Sequence, residues 1–516
     1  MISGLEIALI VIMFWIMLIL YLAPRIRESK HLDLLGPALM VKAIKRRGIL
    51  KAISNHFPWR TYSKVSVVIV LLSFFFAIGF LAYGAYLASF IRPSQAPSLS
   101  LILALPGINP VIPISYGIVA LMVGVFVHEI MHGIVSEGHK LEVKSVGGLF
   151  FIVPVGAFVE PKEEELQNAE PVVRRRIYAS GPGTNIIIAI VCLLLILFAF
   201  APAAVPHHPG VVVESSDGAL APSVPSGSEL ISFGPYSGST LSNLVYNSTL
   251  MPGREYNASV YYKGEVHTVK GYAGVAIVDT IDGFPAASAG VPANSIIVKI
   301  NSAVIYNETG LAQVLDAIPP GSTVNLTVFV PYGNSPGLKY YDVKTVSVYS
   351  YYEKYDPLAN KPAYKNESFI GVEIDYAGIG YVPLADMKTE VFGTAMLSSP
   401  WDGFIEFIGL PFSGLSPVPS YLASMFSVPV NPTFFWGALN VLYWMFWINF
   451  LLGITNALPL SILDGAQFLK DTIVIAGRHR MLGAFKRPKV AGNVTNALGV
   501  LVLFLLLWEI IVPHII

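Results

Sequence analysis

The chain has 516 residues, 54% hydrophobic and 13% charged, with a mean hydropathy of +0.62, values that exclude an ordinary soluble enzyme and place it among polytopic membrane proteins. Lys plus Arg equals Asp plus Glu, 33 each, so no net charge attracts nucleic acid as a partner. The one cysteine, Cys192, has no partner for a disulfide and cannot build a Cys-rich zinc site.

A helix that crosses a bilayer takes about 20 mostly apolar residues. Six candidates follow in chain order: Ile7 to Ala23, Val65 to Ile91, Val111 to Ile134, Ile177 to Pro202, Phe434 to Leu458 and Asn493 to Pro513. The first lacks a basic leading region and an obvious small-residue cleavage site, so it reads as a retained anchor rather than a signal peptide. The loop behind it carries Arg25, Arg27, Lys30, Lys42, Lys45, Arg46, Arg47, Lys51 and Arg60, whereas Arg92 to Pro110 carries little charge. Lys and Arg concentrate on the cytoplasmic side, which puts the first loop inside and the N-terminus outside. Counting onward puts Lys140, Lys144, Lys162 and Arg174 to Arg176 inside, and Arg478, Arg480, Lys486, Arg487 and Lys489 inside as well. Residues 1–63 therefore read as an anchor helix with a basic cytoplasmic loop, and 64–202 as a first membrane region.

The third span contains His128-Glu129-Ile130-Met131-His132. Residues four apart on a helix share a face, so His128 and His132 can ligate one metal while Glu129 stands beside the activated water as general base. Ionisable groups at membrane depth are costly and mark function. The plainer alternative is a polar packing seam or pore lining.

After the fourth span, about His207 to Asp386 is rich in Ser, Asn, Tyr and Val, poor in Lys and Arg, and falls outside by the same count. It carries glycosylation-type tripeptides at Asn247, Asn257, Asn307, Asn325 and Asn366. The segment also repeats itself: Val224 to Gly234 corresponds to Val291 to Asn301, Pro252 to Tyr261 to Pro319 to Phe329, and Gly210 to Val213 to Gly274 to Ile277. Two copies roughly 65 residues apart are too few for a propeller and too long for a solenoid unit, which implies tandem domains at 203–272 and 273–377. Each shows a glycine-led strand, a Pro turn, a second strand, a short helical stretch such as Leu311 to Ile318, and a Pro-Gly turn into a last strand. This order, with Ala286 to Asn301 above all, resembles the PDZ domain of membrane-associated proteases. The resemblance implies that each copy can add a peptide as an extra strand. A β-rich ectodomain without a groove is the alternative.

Two histidines leave a catalytic zinc short of a third protein ligand. Asp402, Glu406, Asp464, Asp471 and Glu509 are the acids in or beside later apolar stretches, all within the C-terminal membrane region at 378–516. The third and fifth spans both run inward, so depth favours Asp464 for the cytoplasmic half where His128 and His132 lie. A turn or capping aspartate before Gly465 is the ordinary alternative for it.

Taken together, His128 to His132, Asn456-Ala-Leu-Pro459 with Leu463-Asp464-Gly465, and Gly181-Pro182-Gly183-Thr184-Asn185 resemble the three signature motifs of the site-2 protease family, the intramembrane zinc metalloproteases. The resemblance implies a polytopic α-helical membrane protein with an inserted extracytoplasmic β-rich PDZ-like pair, and an active site toward the cytoplasmic side. By it Zn2+ is held by His128, His132 and Asp464, with Glu129 catalytic. Asn456 helps hold the substrate or the developing oxyanion, and Asn185 packs near the same site unless it caps a helix. Ser145 to Glu160 resembles the family's re-entrant hairpin, whose Gly156, Ala157 and Phe158 can pair with an unwound substrate. The implied partners are transmembrane protein substrates, the bilayer, and peptide or C-terminal ligands of the PDZ-like pair. A non-catalytic membrane adaptor presenting PDZ modules is the alternative function. A different membrane zinc peptidase would take a glutamate as third ligand, and a transporter would show an inverted repeat that is not evident here.

Overall fold

The computed structural model describes residues 4–29, 31–35, 38–42, 47–91, 93, 96–102, 106–151, 153–216, 224–332, 335–355, 360–478, 483 and 485–515. Lys30, Lys45, Arg46, Arg92 and Arg480 lie outside them. The chain forms two compact units, one of residues 1–196 with 437–516 and one of residues 197–436.

Among the described residues five helices are long and apolar enough to cross a membrane: Trp59–Ala88, Ile114–Gly138, Pro171–Ala203, Pro432–Ala457 and Pro488–His514. The protein is thus an integral, multi-pass membrane protein. The first predicted span is helical as α1 (Gly4–Glu28), with a shorter apolar stretch at Met13–Ile26. The region behind α1, expected to be a basic loop, has secondary structure among its described residues. It holds strands β1 (Leu32–Leu35) and β2 (Ala38–Lys42) and an amphipathic helix α2 (Arg47–His56) before the long helix α3 (Trp59–Ala88).

Helix α4 (Ile114–Gly138) carries the histidines, and its buried positions show how they are placed. Gly117, Ala120, Gly124, His128 and His132 recur three or four residues apart, so small residues and both imidazoles share one face. Ile114, Val119 and Phe126 stay exposed, as a lipid-facing side requires. Strands β3 (Val143–Phe151) and β4 (Val153–Pro161) form the expected hairpin. It is one side of a four-stranded antiparallel sheet in the order β1-β2-β3-β4, leaving β4 at the edge. Helix α5 (Pro171–Leu195) runs unbroken through Gly181 to Asn185 and packs on α3 and α4. The helix therefore starts before Ile177, and Asn185 sits in its interior, which removes the capping role.

Later in this unit, helix α6 (Pro432–Ala457) ends just before Pro459, and helix α7 (Asp464–Ala476) starts at Asp464 itself. Pro459 cannot continue a helix, because it lacks the N–H and its ring clashes with the preceding turn. Gly465 lets the restart fold back tightly: a Cβ there would lie 2.3 Å from the Leu458 carbonyl oxygen. Helix α8 (Pro488–Ile511) packs on α3 and α7.

The second unit is the β-rich insert. Its strands are β5 (Val211–Ser216), β6 (Glu229–Phe233), β7 (Glu255–Tyr262), β8 (Glu265–Tyr272), β9 (Val275–Thr280), β10 (Ser295–Ile300), β11 (Thr323–Val330), β12 (Gly337–Lys344), β13 (Val372–Tyr376) and β14 (Ile379–Pro383). They lie in the order β8-β7-β6-β5-β14-β13-β9-β10-β11-β12. The pairing in the first half, β5 with β6, β6 with β7 and β7 with β8, recurs in the second as β9 with β10, β10 with β11 and β11 with β12. Each half has its own core, around Leu230 and Phe233 in the first and Ile297 and Leu326 in the second. The hairpin of β13 and β14 is shared: β13 completes the second half on β9, and β14 returns to the first on β5. A boundary at residue 377 falls in the turn between these strands. Asn307, one of the glycosylation-type sites, caps the helix Glu308–Asp316, its side chain accepting from Gly310 N at 2.7 Å.

Candidate metal centre

His128, His132 and Asp464 converge so that one ligand atom from each lies within 4.8 Å of the others. Both Nε2 atoms face the same carboxylate oxygen, Asp464 Oδ2, at 2.9 Å for His128 and 3.0 Å for His132. Ligand atoms about 2.0–2.1 Å from a tetrahedral zinc sit about 3.3 Å apart, so this spacing suits one ion. The histidine side chains are 9% and 11% exposed, whereas the Asp464 side chain keeps 21%. The cluster is enclosed yet reachable from the aspartate side.

The surrounding hydrogen bonds decide which nitrogen of each ring carries the proton. Asn185 Nδ2 donates to the Gly124 carbonyl at 3.0 Å and to Asn449 Oδ1 at 2.9 Å, which uses both of its hydrogens. Its Oδ1 can only accept, so His128 Nδ1, 2.7 Å away, must donate. The Ile177 carbonyl likewise can only accept, and His132 Nδ1 donates to it at 2.8 Å. With both Nδ1 atoms protonated, neutral rings turn the lone pairs of Nε2 toward the Asp464 oxygen. Three lone-pair atoms facing one another are repulsive until a cation lies between them, and this donor set of two imidazoles and a carboxylate is one that zinc takes.

Gly181 makes room for the pair. A Cβ on this residue would lie 2.4 Å from His132 Nε2 and 2.6 Å from His128 Nε2, so only glycine lets α5 pass this close. Asn449 closes the hydrogen-bonded chain from α6, fully buried and donating to the Met445 carbonyl at 2.8 Å. Sequence reasoning did not single it out, although an asparagine inside an apolar helix is a signal that could have found it. Further along α7, Arg174 holds Asp471 with Nε 3.0 Å from Oδ2, and the Asp471 side chain is 3% exposed. Asp471 is therefore a buried ion-pair partner rather than a metal ligand. Asp464 lies two helical turns before it on the same face.

Glu129 lies on the neighbouring face of α4 and meets the edge strand: its Oε2 accepts from Val159 N at 3.2 Å. Gly156, Ala157 and Phe158 precede Val159 on β4, paired on the inner side with Leu149, Gly148 and Gly147. Asn456 is not drawn into the cluster; its Nδ2 donates to the Leu452 carbonyl of its own helix at 3.0 Å. The remaining acids beside the later apolar stretches are elsewhere. Asp402 and Glu406 are on helix Pro400–Gly409 of the second unit, and Glu509 packs at Gly84 of α3.

Comparison with known proteins adds two findings. The model of peptidase family M50 matches residues 116–506, more than half of the chain. An uncharacterized protein of Methanocaldococcus jannaschii is 31% identical over 199 residues, 38% of this chain. The chain spans 51% of that relative's length.

Proposed function

The chain belongs to peptidase family M50, the site-2 protease family, and from that premise we propose that it is an intramembrane zinc metalloendopeptidase. It hydrolyses peptide bonds in or near the transmembrane segments of other membrane proteins. The observation that carries this reading is the convergence of His128 and His132 from one apolar helix with Asp464 from another. Bound zinc supplies Lewis-acid chemistry, acidifying water and polarising a peptide carbonyl. The chain supplies the rest. Asn185 and the Ile177 carbonyl hold the two imidazoles as metal-binding tautomers. Glu129 is the group able to take the proton from water and return it to the leaving amine.

A transmembrane substrate hides its carbonyls in helical hydrogen bonds and must unwind to be cut. The place of β4 at the end of its sheet, with Val159 N donating to Glu129, supports a role for Gly156, Ala157 and Phe158 in pairing with the unwound strand. The Asn456 side chain, bonded within its own helix, would have to turn to serve an oxyanion. The β-rich pair, PDZ-like in its repeated order of strands, acts as a docking site or filter, outside the membrane by the distribution of basic residues. The test is Glu129→Gln assayed on membrane-reconstituted substrate: this variant retains zinc and loses at least a hundredfold in turnover, whereas cleavage at the wild-type rate removes the peptidase reading.

A further inference from the structure

The two halves of the insert differ at one equivalent place. Alignment of β5 with β9 puts Tyr381 of β14, opposite Val213, where Ile374 of β13 stands opposite Ile277. In the first half the Tyr381 hydroxyl donates to the Leu241 carbonyl and accepts from Val245 N, both at 3.2 Å. It bridges a helical donor–acceptor pair and ties residues 238–247 onto the sheet. In the second half no such tie exists among the described residues. A groove of about 510 Å³ lies there between helix Glu308–Asp316 and β13, lined by Leu311, Leu315, Ile370, Val372 and Ile374 with Tyr246 of the first half beside them, whereas the first half's own cavity, about 570 Å³, lies among residues 206–211, 238–242 and 383–386. Strands β13 and β14 pair at Tyr376 and Ile379, and among the described residues no strand lies beside the outer edge of β13 from Val372 to Ile374.

The charge of the groove is one-sided. Glu308, Asp316 and Glu367 line it, with no Lys, Arg or His among the lining residues. Burial first, and the neighbouring Asp375 after it, push the Glu308 carboxyl up to about 7.

Resting on the docking role given above, we propose that only the second half reads peptide, and that it takes an extended internal segment of apolar residues flanked by lysine or arginine, not a free C-terminal carboxylate. The open edge of β13 supplies the main-chain partner, the apolar floor takes alternate side chains, and the acids select the cation and repel a carboxylate.

The experiment uses the full-length chain in non-ionic detergent with Glu129→Gln, so that peptide is bound and not cut. The probes are three labelled, acetylated octapeptides: alternating valine and lysine with an amidated end, the same with glutamate for lysine, and alternating valine and serine with a free carboxyl end. The lysine peptide binds at least tenfold more tightly than either of the others. Ala312→Trp, a change on the exposed lining of the groove, weakens it at least tenfold, and Asp316→Lys narrows the lysine preference. Asn243→Trp on the first half leaves binding unchanged. Equal or tighter binding of the glutamate or carboxyl-ended peptide, loss only in Asn243→Trp, or no binding of any probe overturns the proposal. Cleavage by the otherwise wild-type chain is read separately, so absent peptide binding with intact proteolysis sinks this inference and leaves the peptidase reading standing.

Discussion

At the scale of single residues, the centre depends on side chains that never touch the metal. Asn185 fixes His128 as the tautomer whose Nε2 is free, and Asn449 fixes Asn185 by occupying one of its hydrogens. Replacing Asn185 with leucine keeps the branched skeleton and removes the acceptor together with the two donors. The expected result is a loss of about 10- to 100-fold in zinc affinity, the usual cost of removing such an outer partner, measured by competition with a chelating dye. Unchanged affinity would mean that the packing of α4 on α5 alone orients the ring. Residues that act through spacing along one helix were legible in the sequence, as His128, Glu129 and His132 show. Asp464 needed an argument from topology as well. Asn449 is marked only as a polar residue inside an apolar helix, with no motif around it, and its partner comes from a different helix.

At the scale of elements, the position of Asp464 is set by how α7 is held. Pro459 and Gly465 fix where the helix restarts, and the Arg174–Asp471 pair fixes its middle against α5. Removing one partner of a buried ion pair leaves the other charge unpaired, at a cost of about 3–5 kcal/mol. Arg174→Met should therefore lower the thermal midpoint of the full chain and weaken zinc binding together, while Arg174→Met with Asp471→Leu recovers much of both. A double variant as weak as the single one would show that the pair contributes more than charge compensation.

The same scale explains what the sequence hid. The long apolar helices announce themselves by length, and the β3–β4 hairpin by its resemblance, but β1 and β2 are only four and five residues long and sit among basic residues. Short strands acquire their identity from the partner they pair with, here β3, and carry little local pattern of their own.

At the scale of the whole molecule, the candidate metal ligands and the β-rich insert belong to different units of the chain. The repeat was readable because each copy preserves the same order of strands. The shared hairpin of β13 and β14 was not, since β14 pairs with β5, far earlier in the chain. Any excision of the insert must therefore run from residue 210 to 383, and the ends permit it: the Gly210 carbonyl accepts from Leu384 N at 3.1 Å. Joined by a short linker, the shortened chain should keep its zinc and cut a broader or different set of membrane substrates, read by comparing cleavage products in reconstituted vesicles. Loss of zinc on excision would make the insert part of the structural frame of the centre.

The central claim is that residues far apart in sequence hold one catalytic metal within a membrane protein. The most direct measurement is elemental analysis of the purified full-length chain, prepared without chelators, beside Asp464→Ala and Glu129→Gln. About one zinc per chain in the wild type and in Glu129→Gln, falling to near zero in Asp464→Ala, is the predicted result. A wild-type chain without zinc, or an Asp464→Ala chain that keeps it in full, would contradict the account.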